Sequence, residues 1–130
     1  MTRVFVLTNH KGGVGKSTTA TNLAYGLVQA FKLQHRPNTR VLLIDTDSQS
    51  HSTLVTTGRN DFGKDDSLYT VVMAERQEAF GLMTKCIVQS EWDADLHVLP
   101  ASGLLEGAER ELLSVHGAPF RISQPLGRVA

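Results

Sequence analysis

No stretch constrains this chain more than Lys11-Gly12-Gly13-Val14-Gly15-Lys16-Ser17-Thr18. Its Gly-Lys-Ser ending is that of the phosphate loop G-x-x-x-x-G-K-[ST]. His10, however, stands where the first glycine belongs, and an additional lysine, Lys11, precedes Gly12-Gly13. The chemistry behind such a loop is specific. Phosphate oxygens must be approached closely by backbone N–H groups, and a Cβ at the tightest points blocks that approach. Lys16 supplies a point charge to the outer phosphates, and the Ser17 hydroxyl can ligate Mg²⁺. A helix beginning at Lys16 turns its free N–H groups and positive dipole end towards the anion.

A loop of this kind has meaning only between a strand and a helix. Val4-Phe5-Val6-Leu7 is a continuous apolar run, which predicts a strand buried on both faces of a parallel sheet. After the loop, Ala20, Leu23, Ala24, Leu27, Val28 and Phe31 recur at helical spacing, predicting a helix from Lys16 to about Leu33. Pro37-Asn38 breaks it. Arg40-Val41-Leu42-Leu43-Ile44-Asp45 is a second apolar run, so strand, loop, helix and strand make a βαβ unit with a parallel sheet. Ligands of such sheets bind beyond the carboxyl ends of the strands. His10, Lys11, Asp45 and Asp47 all fall at that edge.

Asp45-Thr46-Asp47-Ser48-Gln49 is the second constellation. Two carboxylates two residues apart at a strand end can serve a Mg²⁺ shell and hold a water near a terminal phosphate. They can equally be exposed acids capping the following turn with Ser48 and Ser50.

Composition sets limits. At 130 residues, the chain is one domain at most. Thirteen basic and thirteen acidic residues give formal neutrality, so no global field draws it to nucleic acid or to a membrane. The single cysteine, Cys86, excludes an internal disulfide and a multi-cysteine metal site, and reads as a small buried hydrophobe. No apolar run is long enough to span a bilayer and no cleavable signal is evident, so a cytoplasmic protein is expected.

Further along, 58–66 reads as a polar surface loop. Ser67 is placed to cap a short helix carrying Leu68, Val71 and Val72. Glu75 to Trp92 resists assignment, with Phe80, Leu82, Met83, Ile87 and Val88 as core candidates. Leu96-His97-Val98-Leu99 predicts a strand stopped by Pro100, with His97 a structural histidine. Ser102 is expected to cap a helix bearing Leu104, Leu105, Ala108, Leu112 and Val115, ended by Gly117 and Pro119.

Lys11 to Thr18 resembles the deviant Walker A loop of the ParA/MinD (Soj-type) family of ATPases, in which a second lysine precedes the glycines. The resemblance implies an α/β fold of P-loop NTPase type, a parallel sheet with helices on both faces. It implies ATP and Mg²⁺ as cofactors and a nucleotide-sandwich homodimer. Lys11, Gly12, Gly13, Val14, Gly15, Lys16, Ser17 and Thr18 would bind the nucleotide, with Lys11 reaching the partner subunit's phosphates. Lys11, Lys16 and Asp47 would be catalytic, Asp47 positioning the attacking water; Ser17 and Asp45 would serve the metal. Asp45 to Gln49 is similar to the family's D-x-D-P-Q, with Ser48 for the usual proline and Ser50-His51 for a common Gly-Asn. In the family the region matching 65–73 lies near the dimer face, and a packed helix with no partner is the other reading.

The third motif of such ATPases, an apolar strand ending in aspartate, has no counterpart after Leu113. Phe120 to Ala130 resembles the helix that precedes it, and in the family that strand lies between the first two strands. Residues 1–130 therefore read as the N-terminal part of a single ATPase domain. The implied function is a partitioning ATPase of plasmids or chromosomes, nucleoid-associated, stimulated by a ParB-like protein. It would bind nonspecific DNA through regions outside this chain, with no membrane segment. The alternatives are a non-catalytic fragment that binds nucleotide or a partner, and a MinD-like positioning ATPase.

Overall fold

The computed structural model describes residues 2–8 and 15–112. Helix α1 covers Lys16–Leu33, β1 Val41–Ile44, α2 His51–Thr57, α3 Leu68–Met73, α4 Ala79–Cys86, β2 Val88–Gln89, β3 Leu96–Leu99 and α5 Leu105–Leu112. The strands form one sheet in the order β1-β3-β2. β1 runs parallel to β3, with Val41 opposite Leu96 and Ile44 opposite Leu99, while β2 pairs antiparallel with β3. The sheet is therefore parallel only between β1 and β3, with an antiparallel strand on its far edge.

The two apolar strands are covered on both faces, as their uninterrupted sequences require. Alternate residues sort into two cores. Leu43, Leu96 and the half-buried Val41 pack against Ala20, Ala24 and Val28 of α1. Leu99, with Leu42 and Ile44, packs against Leu68, Val71, Val72, Met83 and Ala108 of α3, α4 and α5. Leu96, Val98 and Leu99 have no exposed surface, and fully burying a side chain of this size contributes about 1.5–3 kcal/mol.

Along α1 the buried line is rotated from the predicted stripe. Thr21, Ala24 and Val28 face the sheet, whereas Leu23 remains 39% exposed. Thr21 tolerates burial because its hydroxyl donates to the Ser17 and Thr18 carbonyls of the preceding turn.

Val4 to Leu7 departs from the sequence expectation. These residues form no strand, and Val4, Phe5 and Val6 are 67%, 58% and 78% exposed. A strand is held by its ladder, and 4–7 pairs with neither β1 nor β3, so propensity alone does not order it. Ser67 also departs: it precedes α3 but makes no side-chain cap, its hydroxyl donating to the Gly63 carbonyl at 2.5 Å. Leu68 N–H instead donates to the Pro100 carbonyl at 2.8 Å. The predicted residues Val115, Gly117, Pro119 and Phe120 to Ala130 lie outside the described residues.

Candidate nucleotide site

The direction of α1 is fixed at its C-terminus. Lys32 Nζ lies 2.5 Å from Asp93 Oδ2, and Gln29 Nε2 donates to the same oxygen at 3.2 Å. Asp93 precedes β3, and the neighbouring Asp95 carbonyl accepts the N–H of Val41, the first residue of β1, at 3.0 Å. The last turns of α1 thus sit where β1 and β3 begin. An 18-residue helix is about 27 Å long, so its first turn sits at the opposite edge, where both strands end.

At that edge Gly15 adopts φ 81°, ψ 18°, and its carbonyl accepts the Thr19 N–H at 2.8 Å. An added Cβ would meet nothing within 4 Å, so glycine is required here by the backbone angle rather than by space. The first N–H groups of α1 have no intrahelical acceptor and carry the positive end of the helix dipole. Lys16 and Ser17 are half-buried there, and Thr18 is exposed. His10, Lys11, Gly12, Gly13 and Val14 lie outside the described residues.

The acids follow directly from the end of β1. Asp45 is 5% exposed, and its N–H still donates to the Leu99 carbonyl at 3.2 Å. Its Oδ2 accepts the Thr53 N–H and the Thr53 hydroxyl, both at 2.8 Å; Oδ1 accepts the Asp47 N–H at 3.1 Å. Asp45 is therefore not an exposed acid. Its carboxylate satisfies a free N–H in the first turn of α2, the role of a helix cap, and holds the backbone of Asp47. Asp47 is half-buried; its Oδ1 accepts the Gln49 N–H at 3.0 Å and its carbonyl accepts the Ser50 N–H at 2.9 Å. The result is a tight Asx turn that leads into α2.

Helix α2 escaped sequence reading. It is built from threonines and serines, and its Ser52, Thr53, Thr56 and Thr57 are buried while Leu54 and Val55 are 41% and 51% exposed. The signal present was the spacing of Ser52, Thr53, Thr56 and Thr57 on one helical face, a polar stripe rather than an apolar one. Thr56 and Thr57 return their hydroxyl hydrogens to the Ser52 and Thr53 carbonyls, each at 2.6 Å. Gly58 ends the helix at φ 71°, where a Cβ would also stand 2.9 Å from the Glu91 carboxylate.

The loop after β3 meets this construction. Pro100 holds the start of α3 as described, Ala101 N–H donates to Thr53 Oγ1 at 2.9 Å, and Ser102 Oγ accepts the Leu104 N–H at 3.2 Å ahead of α5. Three consecutive residues thus each hold a different helix. His97 lies on β3 opposite Gln89. Cys86 is buried, and burial raises its thiol pKa, in keeping with a packing residue. Among the described residues no group of three or more His, Cys, Asp or Glu is gathered to hold a metal. Nor is any helix among them long and apolar enough to cross a membrane.

A lysine and a hydroxyl on the first turn of a helix, with two carboxylates following the end of a strand in a parallel pair, are in keeping with a nucleotide-binding α/β domain. Residues 2–130 match the family described as an AAA domain, of ParA/MinD/CobQ type. The chain belongs to this family. Among curated relatives of this AAA-domain chain, the chromosome partitioning protein ParA of Caulobacter vibrioides is 36% identical over 125 residues, 95% of this chain and 41% of that protein. The sporulation initiation inhibitor protein Soj of Bacillus subtilis is 30% identical over 129 residues, 99% of this chain and 46% of that protein. Among solved structures, the cobyrinic acid a,c-diamide synthase of Mycobacterium smegmatis with bound ADP and magnesium superposes with a TM-score of 0.75 at 27% identity. It covers 99% of this chain and 46% of the synthase. The AAA-domain chain spans less than half the length of each of these relatives.

Proposed function

We propose that this chain is the N-terminal part of an ATP-binding, ATP-hydrolysing partitioning protein of ParA type, cytoplasmic and switched to a homodimer by ATP. The observation that carries the reading is the Gly15 turn that opens α1 at Lys16 and Ser17, taken together with the Asp45–Asp47 turn that follows β1. Lys16 and the free N–H groups of α1 neutralise and orient the phosphates. Asp47 holds the attacking water, and Lys11 lends its charge across the dimer, where it offsets the negative charge that develops in phosphoryl transfer.

The donor set suits Mg²⁺, a hard cation that keeps several of its waters. Ser17 offers a hydroxyl as a direct ligand. The Asp45 oxygens already accept three protein hydrogen bonds, so Asp45 suits a place next to the metal's waters rather than in direct contact with the ion. When bound, the ion would supply charge neutralisation to the phosphates. A ParB-like protein and nonspecific DNA, engaged through regions beyond this chain, are the partners that fit a ParA-type cycle.

The test is phosphate release by the full-length parent, with and without DNA and a ParB-like partner, beside titration with a fluorescent ATP analogue and Mg²⁺. Stimulation by both additions is expected, together with saturable nucleotide binding that Lys16→Ala abolishes. Unchanged affinity in that variant overturns the phosphate-loop assignment.

A further inference from the structure

Thr53 differs from its neighbours on α2 in the direction of its hydroxyl. Thr53 and Thr56 are both fully buried, and Thr56, like Thr57, donates its hydrogen to a carbonyl one turn back in its own helix. Thr53 does not. Its Oγ1 accepts the Ala101 N–H at 2.9 Å and lies 2.8 Å from Asp45 Oδ2. A hydroxyl has one hydrogen, and the Ala101 amide can only donate, so the Thr53 hydrogen must go to the carboxylate. The bonds run in one sense, from Ala101 N–H through the Thr53 hydroxyl to Asp45, and Asp45 Oδ1 in turn holds the Asp47 N–H at 3.1 Å.

We propose that Thr53 is a positioning residue for ATP hydrolysis: its hydroxyl ties the Asp45–Asp47 turn to the loop after β3, and through Asp45 sets where Asp47 stands. This rests on the ATPase reading above. The geometry gives the link its specificity. Pro100 and Ser102 flank Ala101 and hold α3 and α5, so the amide that Thr53 uses belongs to a loop tied down on both sides. Aligned chains of hydrogen bonds ending on an ionised acceptor are stronger than isolated neutral ones, and in a buried site they fix geometry closely. Binding of the phosphates falls to Lys16 and the first turn of α1, which Thr53 does not hold, so its loss should be felt in turnover and not in capture of nucleotide.

The experiment is steady-state ATP hydrolysis by the full-length parent carrying Thr53→Val, Thr53→Ser or Thr56→Val, with thermal midpoints measured alongside. Thr53→Val keeps the shape and removes the hydroxyl; kcat is expected to fall about 10- to 100-fold while KM for ATP stays within about threefold. Thr53→Ser should restore kcat to near the parent value. Thr56→Val, a loss of equal burial on the same helix, should lower the midpoint and leave kcat in place. An unchanged kcat in Thr53→Val overturns the proposal. So does an equal loss in Thr56→Val, or a Thr53→Ser as slow as the valine variant. If Thr53→Val does not fold, Thr53→Cys, with its weak S–H donor, is read by the same criteria. A parent that hydrolyses no ATP overturns the ATPase reading and this proposal together, whereas an active parent indifferent to Thr53→Val overturns positioning alone.

Discussion

Asp45 and Asp47 look alike in sequence and are put to different uses. Asp45 is buried and spends its oxygens on Thr53 and on the Asp47 amide, whereas Asp47 is half-buried and spends one oxygen on its own turn. The expected consequence is a separation of functions. Asp47→Ala should leave ATP-analogue affinity of the full-length parent intact and slow its phosphate release by about 100-fold or more; normal turnover would remove Asp47 from the chemistry. Ser50, three residues on, sits at φ 58°, a conformation that costs most residues about 1–2 kcal/mol and glycine little. Its hydroxyl recovers almost nothing, reaching the Ser48 carbonyl only at 3.5 Å. The position falls where the resembling family commonly has glycine. Ser50→Gly is therefore expected to stabilise the chain by about 0.5–1 kcal/mol, after glycine's own entropic cost, in denaturant unfolding.

Among the elements, α1 is held in direction by the contacts at its last turns. Asp93 is kept below the ordinary carboxylate value of 3.8, first by the Asp95 N–H and then by Lys32 and Gln29. A depressed folded-state pKa contributes stability that is present above the unfolded value and is lost as pH falls through the folded one. Asp93→Asn should accordingly lower the thermal midpoint at pH 7, and the difference should narrow below pH 3.8 and close once the depressed value is passed. A gap independent of pH would mean that packing, not charge, holds the helix end. Much of this level was legible in the chain. The bounds of α1, the strands at 41–44 and 96–99 and the short helix after Ser67 follow from apolar spacing and from Pro37, Asn38 and Pro100. The turn at Gly15 and the turn at Asp45–Asp47 were legible from the glycine and from the acids that close the apolar run, while the roles proposed for Lys16, Ser17, Asp45 and Asp47 rest on the family resemblance. Helix α2 was not, because its inward face is threonine and serine, whose burial depends on bonds to their own turn. Thr53 was hidden for the same reason, since its partner Ala101 is 48 residues away. β2 has only two residues and no pattern to read.

For the molecule as a whole, the strand expectation at 4–7 failed for a reason of scale. Four apolar residues form a strand only where a neighbour supplies a ladder, and no local pattern reports whether that neighbour is at hand. Among the described residues the strand that does find neighbours on both sides is β3, and its residues enter both cores. Leu96 belongs to the α1 layer and Leu99 to the layer of α3, α4 and α5. β3 and its parallel neighbour β1, whose Leu43 and Leu42 likewise face opposite sides, therefore serve as the common wall of two compartments. Neither compartment can melt while the other survives, so the chain should lose its structure cooperatively, in one step. A ligand captured at the first turn of α1 would then slow the exchange of amide hydrogens as far away as Met83, across the sheet, without touching anything there.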